Sequence, residues 1–214
     1  MRMNFGMIVV VLGLILVSMI LHELAHGVVA YMLGDDTAKK QGRLSLNPLK
    51  HLDPIISIAL PLLMFISGGP IFGGAKPVPI NTRNLKGGAW GMALVAIAGP
   101  ITNFLLALIG FVIFYHTGLL SENNFIGSVC ANFVTINLGF FVFNILPIPP
   151  LDGSRVLYAI SPDGVRNVLE KLENTVGIWL VFGLILIFSA FLTKLMSGAI
   201  TGIIQFFLML VGAT

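Results

Sequence analysis

Hydrophobic residues in this chain come in long blocks, not in short alternations. Residues 7–21 carry no charged side chain, and after a brief polar insertion the apolar run resumes to residue 33, where Gly34 supplies a stop. The pattern predicts a first helix over about residues 4–33. Residues 35–50 are polar, with Lys39, Lys40, Arg43 and Lys50. Within them, residues 42–47 alternate polar and apolar, the pattern of a short strand that Pro48 ends. Residues 52–67 are apolar, but Pro54 and Pro61 interrupt them, and Gly68, Gly69, Pro70, Gly73 and Gly74 follow. A broken apolar segment running into Gly/Pro-rich chain reads as a re-entrant element, which is tolerated at membrane depth where protein or a watery cavity satisfies its backbone. Further spans are expected over about 90–115, containing Gly99-Pro100, and 129–146. A polar, mixed-charge stretch at 154–173 precedes two final apolar segments, 175–192 and 195–211, divided near Lys194.

Composition fixes the class. The 214 residues are 57% hydrophobic and 10% charged, against roughly 25% charged in a soluble domain. The expected fold is an all-α polytopic membrane protein with about five to six transmembrane helices of roughly 20 residues, a re-entrant segment and a short β element. The net charge of +3 is small and reads as a topology signal, not as a nucleic-acid footprint. The stretches 39–50 and 76–86 are both basic and belong on the cytoplasmic side, so the apolar segment between them enters and leaves on one side. The loop 117–127 and the N-terminus then lie outside, although Arg2 opposes this. The N-terminal run lacks an A-x-A-like cleavage site and is expected to stay in the mature protein. Cys130 is the one cysteine, which excludes an internal disulfide and a Cys-based zinc site.

The chemistry lies in the first span. His22-Glu23-Leu24-Ala25-His26 places two imidazoles four residues apart, on one face of a helix, where they can share a metal ion. Glu23 is not needed as a ligand; in H-E-x-x-H proteases that position supplies the general base. Ionisable clusters are costly in hydrocarbon, which makes this one a functional-site candidate. A catalytic zinc takes three protein ligands and keeps one open position. Asp152 is the leading candidate for the third, because it follows an apolar span and the chain Pro147-Ile148-Pro149-Pro150-Leu151. Those prolines should fix an extended path, and Gly153 permits close backbone approach. Asp53, beside His51 and Pro54, is the second candidate.

The H-E-x-x-H motif, together with Asn144-Ile145-Leu146-Pro147-Ile148-Pro149-Pro150-Leu151-Asp152-Gly153, resembles the site-2 protease family of intramembrane zinc metalloproteases. Asn47-Pro48, His51-Leu52-Asp53-Pro54, Gly74-Ala75-Lys76-Pro77-Val78-Pro79 and Ala98-Gly99-Pro100-Ile101-Thr102-Asn103 match its compact prokaryotic members. The resemblance covers roughly residues 15–160. It implies one Zn2+ held by His22, His26 and Asp152, Glu23 as catalytic base, and Asn144 at the site, polarising the scissile carbonyl or holding the substrate. It also implies a single transmembrane protease domain over residues 1–214, with a catalytic core over 4–160 and C-terminal helices over 174–212, without room for PDZ or CBS domains. The expected partners are a transmembrane protein substrate and the lipid bilayer, and the expected location is a prokaryotic plasma membrane. A substrate helix must unwind before attack, and residues 43–47 could capture the unwound chain by β-augmentation. Residues 67–79 could wall or gate the site.

Each candidate also has a plainer reading. The His22/Glu23/His26 cluster could pack the bundle interior, Asp152 could cap the helix beginning near Ser154, and Asn144 could bond between helices. Asn103 reads as helix glue, His51 as a loop or interfacial histidine, His116 as interfacial, and Cys130 as a small buried hydrophobe. A metal transporter is the rival class, but it calls for further ligands along other spans, and the chain has only four histidines. A silent scaffold is the third, and it usually goes with loss of a ligand or of the base.

Overall fold

The structure is a computed structural model that describes residues 5–52, 76–120 and 124–213. Seven α-helices are described: α1 Phe5–Met32, α2 Thr37–Lys40, α3 Gly88–His116, α4 Phe125–Asn144, α5 Asp152–Ile160, α6 Asp163–Thr175 and α7 Ile178–Leu210. Among the described residues, four stretches are long and apolar enough to cross a membrane: Gly6–Met32, Gly88–His116, Phe125–Asn144 and Ile187–Leu210. The expected re-entrant element, Asp53 and most of the 67–79 stretch lie outside the described residues.

Helices α1, α3 and α4 pack against one another, α5 packs on α3, and α7 lies against α4. A core of Ala107, Phe111, Val134, Leu138 and Phe207 joins α3, α4 and α7. The outward faces are apolar: Leu12 is 59% exposed, Ile109 56% and Ile187 75%. Ser18, His22, His26, Asn103 and Asn137 are buried instead. Apolar side chains outside and polar side chains within suit a helix bundle in lipid, where packing and interhelical hydrogen bonds hold helices together and the hydrophobic effect does little.

The first helix ends within a residue of its apolar pattern, at Met32. Helix α4 begins earlier than its apolar run, because the Asn124 side chain caps it, accepting from Gly127 N at 3.0 Å. Two expectations are corrected. Residues 42–47 form no strand: the chain here is extended or turning and finds no ladder partner among the described residues. Its anchor is Arg43, whose Nη2 donates to the carbonyls of Lys76 (2.8 Å) and Pro77 (3.2 Å). The break expected near Lys194 falls instead at Phe188, where φ −113° and ψ 23° interrupt α7. An unbranched lysine is a good helix former and can carry its charge to the membrane surface on its stem, so Lys194 breaks nothing.

Candidate metal centre

Three elements build the site. Helix α1 supplies His22, Glu23 and His26. The loop after α4 supplies Asp152, the first residue of α5. That loop is a series of turns and not the extended path expected of its prolines: Pro149 and Pro150 fill the corners of a turn closed by Leu151 N donating to Ile148 O at 2.8 Å. Gly153 is where close approach was expected, because a Cβ there would collide with the Ile145 carbonyl. Helix α3 closes the back. A Cβ at Gly99 would sit 2.5 Å from the His26 ring and 2.6 Å from the His22 ring, so only glycine lets both imidazoles lie against this helix.

The donor atoms converge. His22 Nε2 lies 3.1 Å from Asp152 Oδ2 and 3.0 Å from His26 Nε2, and His26 Nε2 lies 3.4 Å from Asp152 Oδ2. Ligand atoms about 2.0–2.1 Å from a tetrahedral zinc must stand roughly 3.3 Å apart. All three edges fit.

The proton positions point the same way. His26 Nδ1 faces the Val95 carbonyl at 2.8 Å and therefore donates to it. His22 Nδ1 faces Asn103 Oδ1 at 2.6 Å and donates likewise. In the neutral rings both Nε2 atoms are then bare lone pairs, aimed at each other and at a carboxylate. An ionised Asp152 carboxylate adds only acceptor oxygens to this meeting. Three acceptors in contact require a positive charge among them, either a proton or a metal ion. Two imidazoles and a carboxylate suit zinc.

Glu23 stands beside this cradle. Ligand-capable atoms of His22, Glu23 and His26 lie within 4.8 Å of one another, and Glu23 Oε2 accepts from the backbone N–H of Val78 at 2.8 Å. Asn144 is placed less centrally. Its amide donates to Phe140 O in its own helix at 3.0 Å, and no hydrogen bond joins it to His22, Glu23, His26 or Asp152. His51 is a fully buried loop histidine whose Nε2 meets Ser45 O at 2.6 Å. His116 ends α3, and Cys130 is free and buried. The residue that sequence reading undervalued is Asn103, which holds the His22 imidazole as well as joining helices. The signal was available: a fully polar amide one turn after Gly99-Pro100, in a helix that must pass the histidines.

These features bring two imidazoles and two carboxylates together among apolar helices, a candidate metal centre. Comparison with known proteins agrees. The chain is 42% identical over 189 residues to the Bacillus subtilis protein named "Putative zinc metalloprotease YwhC", covering 86% of this chain and 80% of that one. It is 31% identical over 216 residues to "Putative zinc metalloprotease Rip2" of Mycobacterium tuberculosis, covering 98% and 76%. With "Putative zinc metalloprotease MJ0611" of Methanocaldococcus jannaschii it shares 33% over 162 residues, covering 72% and 73%. The chain belongs to this family of zinc metalloproteases, consistent with the site-2 protease resemblance of its motifs. No family model matches the chain, and no solved structure does.

Proposed function

We propose that this zinc metalloprotease is an intramembrane endopeptidase of the site-2 type, hydrolysing peptide bonds within or near transmembrane segments of membrane proteins. The observation that carries the reading is the meeting of His22 Nε2, His26 Nε2 and Asp152 Oδ2 at 3.0–3.4 Å. Two of these atoms belong to α1, which is long and apolar enough to span a bilayer, and Glu23 stands on the same helix.

In this reading His22, His26 and Asp152 hold the zinc. When bound, zinc acidifies water and polarises a peptide carbonyl. Glu23 takes the proton from the attacking water and delivers it to the leaving amine nitrogen. Val78 N–H keeps the Glu23 carboxylate turned toward that work. Asn144 spends one N–H on Phe140, which leaves its carbonyl and second N–H to contact substrate. Apolar helix faces limit water around the reacting groups, so proton transfer depends on the placed carboxylate.

The test is cleavage of a panel of single-span reporter proteins by the purified chain and by Glu23→Gln, with zinc content measured on both. The expected result is cleavage by the wild type alone at equal zinc. Equal cleavage by both proteins would remove Glu23 from the mechanism, and absence of zinc from the wild type would overturn the reading.

A further inference from the structure

Behind the ligand His22 runs a line of buried amides that crosses three helices. His22 Nδ1 meets Asn103 Oδ1 at 2.6 Å. Asn103 Nδ2 donates to Asn137 Oδ1 at 2.9 Å and lies 3.4 Å from Ser18 O. Asn137 Nδ2 donates to the backbone carbonyl of Phe133 at 2.9 Å. Asn103 and Asn137 are both fully buried. The line therefore begins at a main-chain carbonyl of α4, passes through one side chain on α4 and one on α3, and ends on an imidazole of α1.

Its direction is fixed at the Phe133 end. A carbonyl only accepts, so Asn137 must turn its NH2 group to Phe133 and its oxygen to Asn103. Asn103 must then turn its NH2 to Asn137 and its oxygen to His22. An oxygen facing His22 Nδ1 demands a proton there, which leaves Nε2 as the lone pair that faces Asp152 and His26. Reversing either amide would bring two oxygens together in a buried site. For a group with two equivalent-looking ends, a single hydrogen bond would not settle the orientation; a chain anchored on backbone does.

We propose that Asn103 and Asn137 are positioning residues for the metal centre: they lock His22 in the tautomer whose Nε2 is free to bind zinc. The proposal rests on the metalloprotease reading for its purpose, but its structural content, the Nδ1–H form of His22, stands without metal. His26 reaches the same tautomer by a shorter route, through the Val95 carbonyl. The two ligand histidines are thus set by different devices, and only the His22 device can be broken with side-chain substitutions.

The experiment compares the full-length wild type with Asn103→Leu, Asn103→Asp and Asn137→Leu in detergent. Histidine-selective 15N NMR of the zinc-free proteins reads the tautomer of His22, assigned with His22→Gln. Competition with a chelator of known affinity reads zinc binding. Asn103→Leu, close to the native volume, should weaken zinc binding by about 10–100-fold and leave His22 in mixed tautomers. Asn103→Asp still presents an oxygen to His22 and should keep its Nδ1–H form and lose less zinc affinity than Asn103→Leu, although its second oxygen then faces Asn137 Oδ1. Asn137→Leu should fall between them, because Asn103 is then free to turn over. Wild-type affinity and tautomer in both leucine variants would overturn the proposal, as would equal losses in Asn103→Leu and Asn103→Asp with the His22 tautomer unchanged. If Asn103→Leu does not fold, Asn137→Leu decides the matter. Wild type that takes up no zinc refutes the metalloprotease reading, while the tautomer measurement still judges the amide line.

Discussion

Glu23 Oε2 accepts a hydrogen bond from the backbone N–H of Val78 at 2.8 Å, so the carboxylate beside the metal cradle is aimed by main chain from far along the sequence. The segment that carries Val78 is itself held, since Lys76 N donates to His51 O at 2.7 Å and Arg43 grips the Lys76 and Pro77 carbonyls. A backbone donor cannot be altered by ordinary side-chain substitution, but proline removes it. Val78 lies between Pro77 and Pro79, on a path already compatible with proline. Val78→Pro should leave zinc content unchanged and slow reporter cleavage about tenfold or more, because a hydrogen bond to a charged group is worth roughly 1.5–3 kcal/mol. Zinc content and cleavage rate on the same preparation decide it; loss of zinc would mean that the segment supports the metal centre and not Glu23 alone.

Among the described residues, Asp152 and Glu23 are the two carboxylates near the histidines, and they have different partners. Asp152 Oδ2 makes contact with both Nε2 atoms, whereas a Glu23 oxygen is engaged by Val78. Asp152→Ala should therefore lose more zinc affinity than the roughly 10–100-fold typical of an outer-shell partner, and Glu23→Gln should lose little. Chelator competition on the two variants gives the answer. The reverse ranking would make Glu23 the third ligand and leave the mechanism without its base.

Gly99 sets how near α3 comes to the histidines. A methyl group there meets the His26 ring at 2.5 Å and the His22 ring at 2.6 Å, closer than any real Cβ contact, and rings held by Val95 and Asn103 cannot both retreat. Overpacking of this kind costs about 1–3 kcal/mol. Gly99→Ala should thus lower both thermal stability and zinc affinity. The control is Gly139→Ala, where a Cβ meets nothing within 4 Å; that change should be silent in both assays. A fully zinc-loaded, stable Gly99→Ala would show that α3 is free to shift away from α1.

Much of this architecture is legible along the chain because lipid imposes a coarse code. Long apolar runs can only be helices, and α1, α3 and α4 follow from that alone. The metal pair is legible because four-residue spacing on a helix is a local geometry. The third donor needed more, since Asp152 is far from His22 in sequence and its placement depends on turns at Pro149 and Pro150 that hydropathy does not report. The strand expected at 42–47 illustrates the opposite failure: alternation describes a residue pattern, but a strand needs a partner, and among the described residues none is there. Asn103 reads as generic glue, and Asn137 draws no notice at all, because an amide in a helix carries no mark of which partner it will meet. Asp35 opens the polar stretch 35–50 and is nonetheless fully buried, which polarity along the chain does not report.

Asp35 offers the pH test. It follows α1 and collects donors from the chain that leads to α3: Thr37 N at 3.1 Å, Thr37 Oγ1 at 2.5 Å, Asn81 N at 2.7 Å and Asn84 Nδ2 at 3.2 Å. Burial pushes its carboxyl up, but these bonds, led by the Thr37 hydroxyl, outweigh burial and hold it below the ordinary aspartate value. A depressed folded-state pKa means that the unfolded chain binds the proton more readily. The stabilisation is therefore present in full above the unfolded value of about 3.9 and is lost as the pH falls through the lower folded value. Asp35→Asn keeps the shape but turns an NH2 group toward one of the donors, and leaving such a buried donor unmatched costs about 1–3 kcal/mol. The melting temperatures of wild type and Asp35→Asn should differ by a constant amount between pH 7 and pH 5, as a loss of about that size requires. The gap should narrow below about pH 4, where the unfolded wild type binds the Asp35 proton before the folded protein does. A gap that stays constant on acidification would mean that Asp35 contributes through shape and not through charge.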